Sequence, residues 1–243
     1  MNNTSSLNLA ESTLWITGAS RGIGAACAKV LARTGAHLLL SARSQDALTN
    51  TIASLHSEAR YTIVPCDVTS NTSVQAAYKE IAFQHGAVDI LVNNAGIGIF
   101  APFAELSLDD AEAMLRTNLH GAIACTQAVL PAMRGRTSGV IVNINSVAAV
   151  KTFAGASVYA ASKAGLLAMS RVLREEVRKD GIKVIDLLVG ATATDIWSVE
   201  SRTEFEPRMM QPDDIAEALL AALRLPPRIM PEELVLRPQH GDL

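Results

Sequence analysis

A glycine-rich stretch, TGASRGIG at residues 17–24, constrains the fold more than any other part of the chain. It follows a β-prone run and precedes a segment with the three- and four-residue apolar spacing of a helix, so it forms a strand-to-helix turn. Gly18 permits the tight turn, Gly22 lets a phosphate approach the backbone, and Gly24 lets the helix pack closely on the strand. The positive end of that helix suits a pyrophosphate. A turn without a ligand is the alternative, because the spacing here is G-x-x-x-G-x-G whereas the usual spacing is G-x-G-x-x-G.

Segments with strand character alternate with helical patterns along the whole chain. Strands are predicted at 13–17, 37–41, 61–64, 90–92, 140–144, 183–189 and 233–236. Helices are predicted from the glycine turn to about 33, and at 44–58, 72–84, 107–133, 158–179 and 212–224. The alternation predicts an α/β fold with right-handed crossovers and a parallel sheet covered on both faces. No linker or repeat interrupts it, so residues 1–243 are expected to form one domain.

Charge and composition exclude several classes of function. The net charge is −3 and no basic run occurs, so a nucleic-acid partner is not expected. The three cysteines are scattered, which disfavours a disulfide framework, and no metal site is predicted. Residues 1–12 lack the apolar core of a leader peptide, and no apolar run reaches membrane-spanning length. We therefore expect a cytoplasmic protein with no membrane partner.

The stretch YAASK at 159–163 places Tyr159 and Lys163 one turn apart on one face of a helix. A free tyrosine has a pKa of ~10, and bringing it to ~7 takes roughly 4 kcal/mol. A lysine cation at ~4.5 Å supplies about that much at an effective dielectric of ~20. The pair alone also fits a solvent-facing helix, and Y-x-x-x-K is a weak motif.

Ser146 strengthens the chemical interpretation. It follows the fifth predicted strand, on a loop that faces the same crevice, and its hydroxyl could donate to a substrate carbonyl oxygen while Tyr159 supplies a proton. A nucleophilic role is poorly supported, because no G-x-S-x-G surrounds Ser146 and the next histidine is His240. A hydrolase is therefore disfavoured.

Taken as a set, these residues resemble those of the short-chain dehydrogenase/reductase family. The resemblance covers about residues 13 to 195 and rests on the glycine turn, Asp67, the NNAG stretch at 93–96, Asn118, Ser146 and the Tyr159–Lys163 pair. It implies a doubly wound Rossmann fold with a seven-stranded parallel sheet flanked by helices. It also implies hydride transfer between a nicotinamide dinucleotide and a small carbonyl or secondary-alcohol substrate, of the carbonyl or 3-oxoacyl reductase type.

The resemblance also implies roles for individual residues. Tyr159 would be the catalytic acid/base, Lys163 would hold the nicotinamide ribose and lower the tyrosine pKa, Ser146 would orient the substrate oxygen, and Asn118 would hold a water in the proton relay. Asp67 and Val68 would meet the adenine, and Thr192 and Thr194 the carboxamide. The full set expected at the cofactor is Gly18, Ser20, Arg21, Gly22, Ile23, Gly24, Arg43, Asp67, Val68, Asn94, Ala95, Gly96, Tyr159, Lys163, Gly190, Thr192 and Thr194.

Two positions depart from the family pattern. Val189 precedes Gly190 where the family usually has proline, so this loop is expected to be less rigid. Asn145 stands where a second serine is common, beside the catalytic serine position. We expect an altered substrate pocket there and an unchanged mechanism.

The end of the second strand predicts NADP(H) as the cofactor. Ala42 occupies the place where an acidic residue would accept the ribose hydroxyls of NAD. Arg43 follows it, and Arg21 projects from the glycine turn on the same side. Both guanidinium groups, with the hydroxyl of Ser41 or Ser44, are expected to bind the 2′-phosphate. Two exposed arginines without a ligand are the alternative.

The segment from 195 to 210 matches no motif and is interpreted as a lid over the substrate, with an ordinary surface loop as the alternative. The expected pocket residues, Ile97, Val147, Phe153, Ile196 and Trp197, are uncharged and predict a largely apolar substrate. A helix face with small residues at 160, 164, 165 and 168 is typical of a close helix–helix contact, and predicts a homodimer or homotetramer. A nucleotide-binding regulator without turnover remains the other functional class. It would not need the complete set of Asn118, Ser146, Tyr159 and Lys163.

Overall fold

Seven parallel strands form the centre of the molecule in a computed structural model that describes residues 8–242. The strands are β1 (Thr13–Thr17), β2 (His37–Ser41), β3 (Arg60–Ile63), β4 (Ile90–Asn93), β5 (Gly139–Ser146), β6 (Ile182–Val189) and β7 (Glu233–Leu236). They lie in the order β3-β2-β1-β4-β5-β6-β7. The order reverses between β1 and β4, which makes their carboxyl ends the point where a ligand is expected to bind. The predicted doubly wound Rossmann sheet is confirmed.

Helices cover both faces of the sheet. They are α1 (Gly22–Ala32), α2 (Thr49–Ala53), α3 (Asn71–His85), α4 (Leu108–Leu115), α5 (Gly121–Gly135), α6 (Ser157–Val177), α7 (Val199–Phe205) and α8 (Pro212–Leu223). In β1, Leu14 and Ile16 point into the core beneath α1 and α8, whereas Trp15 points into the core beneath α3 and α5. Strands buried on both faces need apolar side chains at successive positions, which explains their continuous apolar runs.

Two predicted helices differ in the structure. The helix expected at 44–58 is reduced to a 3₁₀ turn, Asp46–Leu48, and the short α2. Asparagine and β-branched threonine favour helices weakly, and the Thr51 hydroxyl donates instead to the Ala19 carbonyl oxygen at 2.9 Å. Ser44 is exposed and caps no helix.

The helix expected at 107–133 is interrupted by a π-helical turn, Arg116–His120, between α4 and α5. Gly121 follows this turn, and a Cβ there would lie 2.9 Å from the Val68 side chain. The close approach of α5 to the loop after β3 and the wider π turn together aim Asn118 inward. The pattern of apolar residues continues through the turn, which is why sequence periodicity does not reveal it.

The segment 195–210 is partly helical. It contains α7 and a 3₁₀ turn, Glu206–Arg208. Within residues 8–242 no helix is both long and apolar enough to cross a membrane. Residues 1–7 and residue 243 lie outside the described residues. The expectation that residues 1–12 are not a leader peptide therefore falls mostly outside the structure.

Candidate active site

The glycine turn has the backbone that its sequence predicts. Gly18 and Gly22 have φ angles of +63° and +53°, in the left-handed region that favours glycine. A Cβ on Gly18 would lie 2.7 Å from the Ala95 Cα. The Asn94 side-chain amide donates to the carbonyl oxygens of Thr17 and Gly18 at 3.0 and 2.9 Å. Asn94 therefore ties the loop after β4 to the glycine turn.

Gly24 is buried where the turn becomes α1, and its close neighbours belong to the turn itself. A Cβ on Gly24 would overlap the Gly18 carbonyl oxygen and the Asn94 side-chain amide. Gly24 is thus closely packed, but its nearest neighbours are these two groups and not the strand that the prediction named.

We expect Gly24→Ala to lower the free energy of unfolding by about 1–3 kcal/mol, the usual cost of overpacking a rigid site. The measurement is urea unfolding of both proteins. Gly135→Ala is the control, because a Cβ there has no neighbour within 4 Å and alanine favours a helix. A Gly24→Ala protein as stable as the Gly135→Ala protein would contradict the packing argument.

Three of the four predicted catalytic residues meet where β5 ends and α6 begins. Ser146 is the last residue of β5, and Tyr159 and Lys163 lie one turn apart on α6. The Lys163 ammonium lies 6.0 Å from the Tyr159 ring centroid and donates to the Ile144 carbonyl oxygen at 2.8 Å. Ser146 Oγ accepts the Ala148 backbone N–H at 3.1 Å, so its own hydrogen remains able to donate.

The fourth residue, Asn118, is joined to this group through Ser162. The Asn118 side chain makes two hydrogen bonds to the Ile97 backbone. Its Oδ1 accepts the Ile97 N–H and its Nδ2 donates to the Ile97 carbonyl oxygen, both at 2.8 Å. Nδ2 also donates to Ser162 Oγ at 3.0 Å, and Ser162 donates to the Tyr159 carbonyl oxygen at 2.7 Å. Ser162 was not predicted as a site residue. Its place between Tyr159 and Lys163 in YAASK was the available signal.

The pKa of Tyr159 differs from expectation. Burial raises the pKa of the Tyr159 phenol, and a hydrogen bond with Ser146 opposes the rise. Burial lowers the pKa of Lys163 to about 8, while the Asp186 carboxylate opposes that shift. The Tyr159 pKa is thus shifted in the direction opposite to the one expected from Lys163, because burial of the phenol is the largest cause.

A buried polar network lies behind Ser146. The Asp186 carboxylate, on β6, accepts from Ser170 Oγ at 3.0 Å, from Asn145 Nδ2 at 3.2 Å and from the Arg174 guanidinium at 3.1 Å. Burial raises the pKa of Asp186 to about 6, opposed by these partners. Asn145 Oδ1 accepts the Ser146 backbone N–H at 2.9 Å. The asparagine that departs from the family pattern thus connects Asp186 to Ser146.

Apart from Tyr159 and Lys163 on α6, the residues predicted for the cofactor lie on the loops that leave the carboxyl ends of β1, β2, β3, β4 and β6, or in the first turn of α1. Asp67 Oδ1 accepts from the Thr69 backbone and hydroxyl at 3.0 and 2.8 Å, which fixes the carboxylate in an Asx turn. The Thr194 methyl group would lie 3.3 Å from a Cβ on Gly22. The loop after β6 therefore borders the glycine turn.

Around the end of β2, one predicted contact is corrected. Ser41 is 1% exposed, donates to the Val64 carbonyl oxygen at 2.6 Å and accepts the Trp15 indole N–H at 2.8 Å, so its hydroxyl belongs to the core. Arg43 is exposed. The Arg21 guanidinium lies 3.9 Å from the Asp195 carboxylate in an exposed ion pair.

The predicted lid lies against the loop after β4. Trp197 stacks on Phe100 with ring centroids 6.2 Å apart, and Phe100 meets Tyr159 edge to face at 5.4 Å. Phe100 was not predicted as a site residue, since it lies in a loop without periodicity. Of the predicted pocket residues, Val147 is 5% exposed and packs in a core cluster with Leu167 and Leu188. Its side chain is therefore part of the core.

The comparisons with known proteins agree with this geometry. The family described as short chain dehydrogenase matches residues 12–204. The chain is 35% identical over 238 residues to a sepiapterin reductase of Chlorobaculum tepidum, covering 95% of this chain and 97% of the relative. A solved alcohol dehydrogenase from Thermococcus sibiricus, complexed with 5-hydroxy-NADP, superposes with a TM-score of 0.86 at 30% identity, over 96% of this chain and 98% of that one. A metagenomic short-chain oxidoreductase in complex with NADP gives a TM-score of 0.83 at 29% identity, over 96% and 99%.

Proposed function

This chain belongs to the short-chain dehydrogenase family, and on that premise we propose that it transfers a hydride between NADP(H) and a carbonyl or secondary-alcohol substrate. The observation that carries the proposal is the assembly of Ser146, Tyr159 and Lys163 at the end of β5, with Asn118 linked to it through Ser162. The NADP complexes of the two structural relatives support the choice of cofactor.

The N-terminus of α1 fits the phosphates of a dinucleotide. The helix begins after Arg21 with no side-chain cap and no acidic residue in its first turn, so its N–H groups are available to an anion. Asp67 and Val68 would border the adenine, Arg43 the 2′-phosphate, and Thr192 and Thr194 the carboxamide. When bound, NADP(H) supplies or accepts the hydride.

The protein's own residues handle the proton. In the direction of reduction, the Tyr159 hydroxyl donates its proton to the carbonyl oxygen as the new alcohol forms. The Ser146 hydroxyl donates to the same oxygen and holds it beside the phenol. The Lys163 ammonium stabilises the phenolate that remains. Asn118 and Ser162 position the first turn of α6, which carries Tyr159.

A regulator that binds a nucleotide without turnover is the weaker candidate. It could use the buried Lys163 to hold the nicotinamide ribose, but it gains nothing from the Tyr159 hydroxyl and Ser146 placed beside that charge. We therefore favour an enzyme.

The test is a panel of carbonyl compounds with NADPH, followed at the nicotinamide absorbance. The panel includes ketones, 3-oxoacyl thioesters and, because of the relative's name, sepiapterin. We expect oxidation of NADPH that depends on the carbonyl compound and on the Tyr159 hydroxyl. Purified protein that binds NADPH and turns over no member of the panel in either direction would favour the regulator.

The pH dependence of reduction is expected to follow Lys163. Its pKa of about 8 means that the side chain loses its positive charge above that pH. The initial-rate kcat/KM should therefore fall above pH 8 by up to about tenfold per pH unit. Asp186 raises the pKa of Lys163, so Asp186→Asn should move the decline to lower pH.

The measurement is kcat/KM against pH for the wild type, Asp186→Asn and Asp180→Asn, with unfolding curves to establish that each variant is folded. Asp180 is a surface control, paired with Arg134. A profile that stays flat well above pH 8 would count against the role given to the Lys163 charge. So would a decline that Asp186→Asn moves to higher pH.

We propose that the protein is a homodimer or homotetramer associated through α6, and that it is cytoplasmic. Ala161 and Ala168 are exposed on that helix, as is Val172. Gly165 faces its own chain instead, because a Cβ there would lie 3.1 Å from Leu119. The mass in solution, measured by light scattering for the wild type and Ala168→Glu, tests the association.

A further inference from the structure

Two aromatic contacts through Phe100 connect the proposed catalytic tyrosine to the lid. Phe100 meets the Tyr159 ring edge to face, with centroids 5.4 Å apart and planes at 63°. The Phe100 ring also stacks on Trp197, with centroids 6.2 Å apart and planes at 22°. We call Tyr159, Phe100 and Trp197 the aromatic wall. The mechanism above uses only its first member.

The wall is held in place by close packing between the two loops that form it. A Cβ on Gly98 would lie 2.9 Å from the Ile196 side chain and 3.0 Å from the edge of the Phe100 ring. Both side chains therefore pack against the Cα of Gly98, which carries no side chain of its own. On the lid, the Trp197 backbone N–H donates to the Thr194 carbonyl oxygen at 3.3 Å. The wall is thus largely preorganised before a ligand arrives.

Phe100 is 46% exposed even though both flanking rings pack on it. Part of its apolar surface therefore stays accessible beside the phenol that delivers the proton. The substrate carbonyl must reach the Tyr159 hydroxyl, so the group attached to the carbonyl carbon lies next to the wall. No charged side chain is among the residues that form the wall and its support.

We infer that the aromatic wall selects carbonyl substrates that carry an aromatic ring on the carbonyl carbon, such as aryl ketones. The inference rests on the proposed function, which places the reacting carbonyl at Tyr159. Aromatic rings prefer the offset-stacked and edge-to-face contacts that a saturated ring of the same size does not make. The expected preference of the wall for a phenyl over a cyclohexyl group is about threefold to tenfold.

The test compares matched ligands and does not depend on turnover. Dissociation constants of 1-phenylethanol and 1-cyclohexylethanol are measured by titration calorimetry in the presence of NADPH, for the wild type, Phe100→Leu and Phe103→Leu. Phe103 is the control, because it lies three residues from Phe100 and is 77% exposed outside the wall. The ratio of kcat/KM for acetophenone and cyclohexyl methyl ketone is measured alongside, so that the intrinsic reactivity of the two ketones cancels between variants.

The wild type and Phe103→Leu should bind the phenyl alcohol more tightly by about threefold to tenfold, and Phe100→Leu should bind the two alcohols equally. The aromatic wall is overturned if the wild type binds the two alcohols equally or binds neither. It is also overturned if Phe103→Leu loses the phenyl preference to the same extent as Phe100→Leu. A phenyl preference in binding that Phe100→Leu removes, without turnover of either ketone, upholds the wall and counts against the proposed function.

Discussion

Tyr159→Phe is expected to lose most of its turnover while it still binds the cofactor. The substitution removes one hydroxyl and keeps the ring, so the edge-to-face contact with Phe100 survives. The missing group is the proposed proton donor, and general acid catalysis is typically worth ~10²–10⁴ in rate. The expected result is a fall in kcat of about that size on any ketone that the wild type reduces well.

The measurement pairs steady-state kinetics with the dissociation constant of NADPH from fluorescence titration. Tyr61→Phe is the matched control, because Tyr61 lies on β3 at the edge of the sheet and its side chain is partly exposed. It should keep the wild-type kcat. A Tyr159→Phe enzyme with undiminished kcat would show that another group delivers the proton, and the assignment of Tyr159 would fall. A variant that lost NADPH binding as well would indicate a structural role for the hydroxyl.

The parts of the molecule that local sequence determines were predictable. The five inner strands were predictable because buried parallel strands need apolar runs, and the glycine turn because glycine tolerates the positive φ angles that Gly18 and Gly22 adopt. The Tyr159–Lys163 spacing specified one helix face without any tertiary information. These features depend on neighbours within a few residues.

The features that were missed depend on contacts between distant segments. Phe100 acquires its role only when the lid brings Trp197 onto it. Ser162 becomes a link between Asn118 and Tyr159 because a π turn aims the asparagine inward, and the apolar pattern passes through that turn unchanged. Sequence alone also left open which face of the sheet Ser41 would take, since β2 is apolar on both faces.

The cofactor preference is expected to be NADP(H) over NAD(H) by tenfold or more in kcat/KM, as an order-of-magnitude estimate. Ala42 directly follows β2, at the place where an acidic residue would accept ribose hydroxyls, and the exposed Arg43 comes next. A hydrogen bond to a charged group is worth roughly 1.5–3 kcal/mol, so one phosphate contact from Arg43 suffices. With Ser41 buried, Ser44 is the remaining hydroxyl candidate.

Arg21 adds a second guanidinium, although in the structure it faces Asp195 at 3.9 Å. That ion pair is exposed on both sides, and exposed pairs typically contribute ~0–1 kcal/mol. A phosphate with two negative charges and several acceptor oxygens is the stronger partner for a guanidinium. We therefore expect Arg21 to exchange Asp195 for the 2′-phosphate, and Arg21→Leu to weaken NADPH binding more than NADH binding.

Ala42→Asp combined with Arg43→Leu should reverse the preference, because the new carboxylate accepts the ribose hydroxyls of NAD and repels the 2′-phosphate of NADP. The measurement is kcat/KM with NADPH and NADH, side by side at one substrate concentration, for the wild type, the double variant and Arg224→Leu. Arg224 is an exposed arginine at the end of α8 and should leave the ratio unchanged. Equal or better efficiency of the wild type with NADH would overturn the assignment of Arg43, and with it the argument that the missing acid at position 42 decides the cofactor.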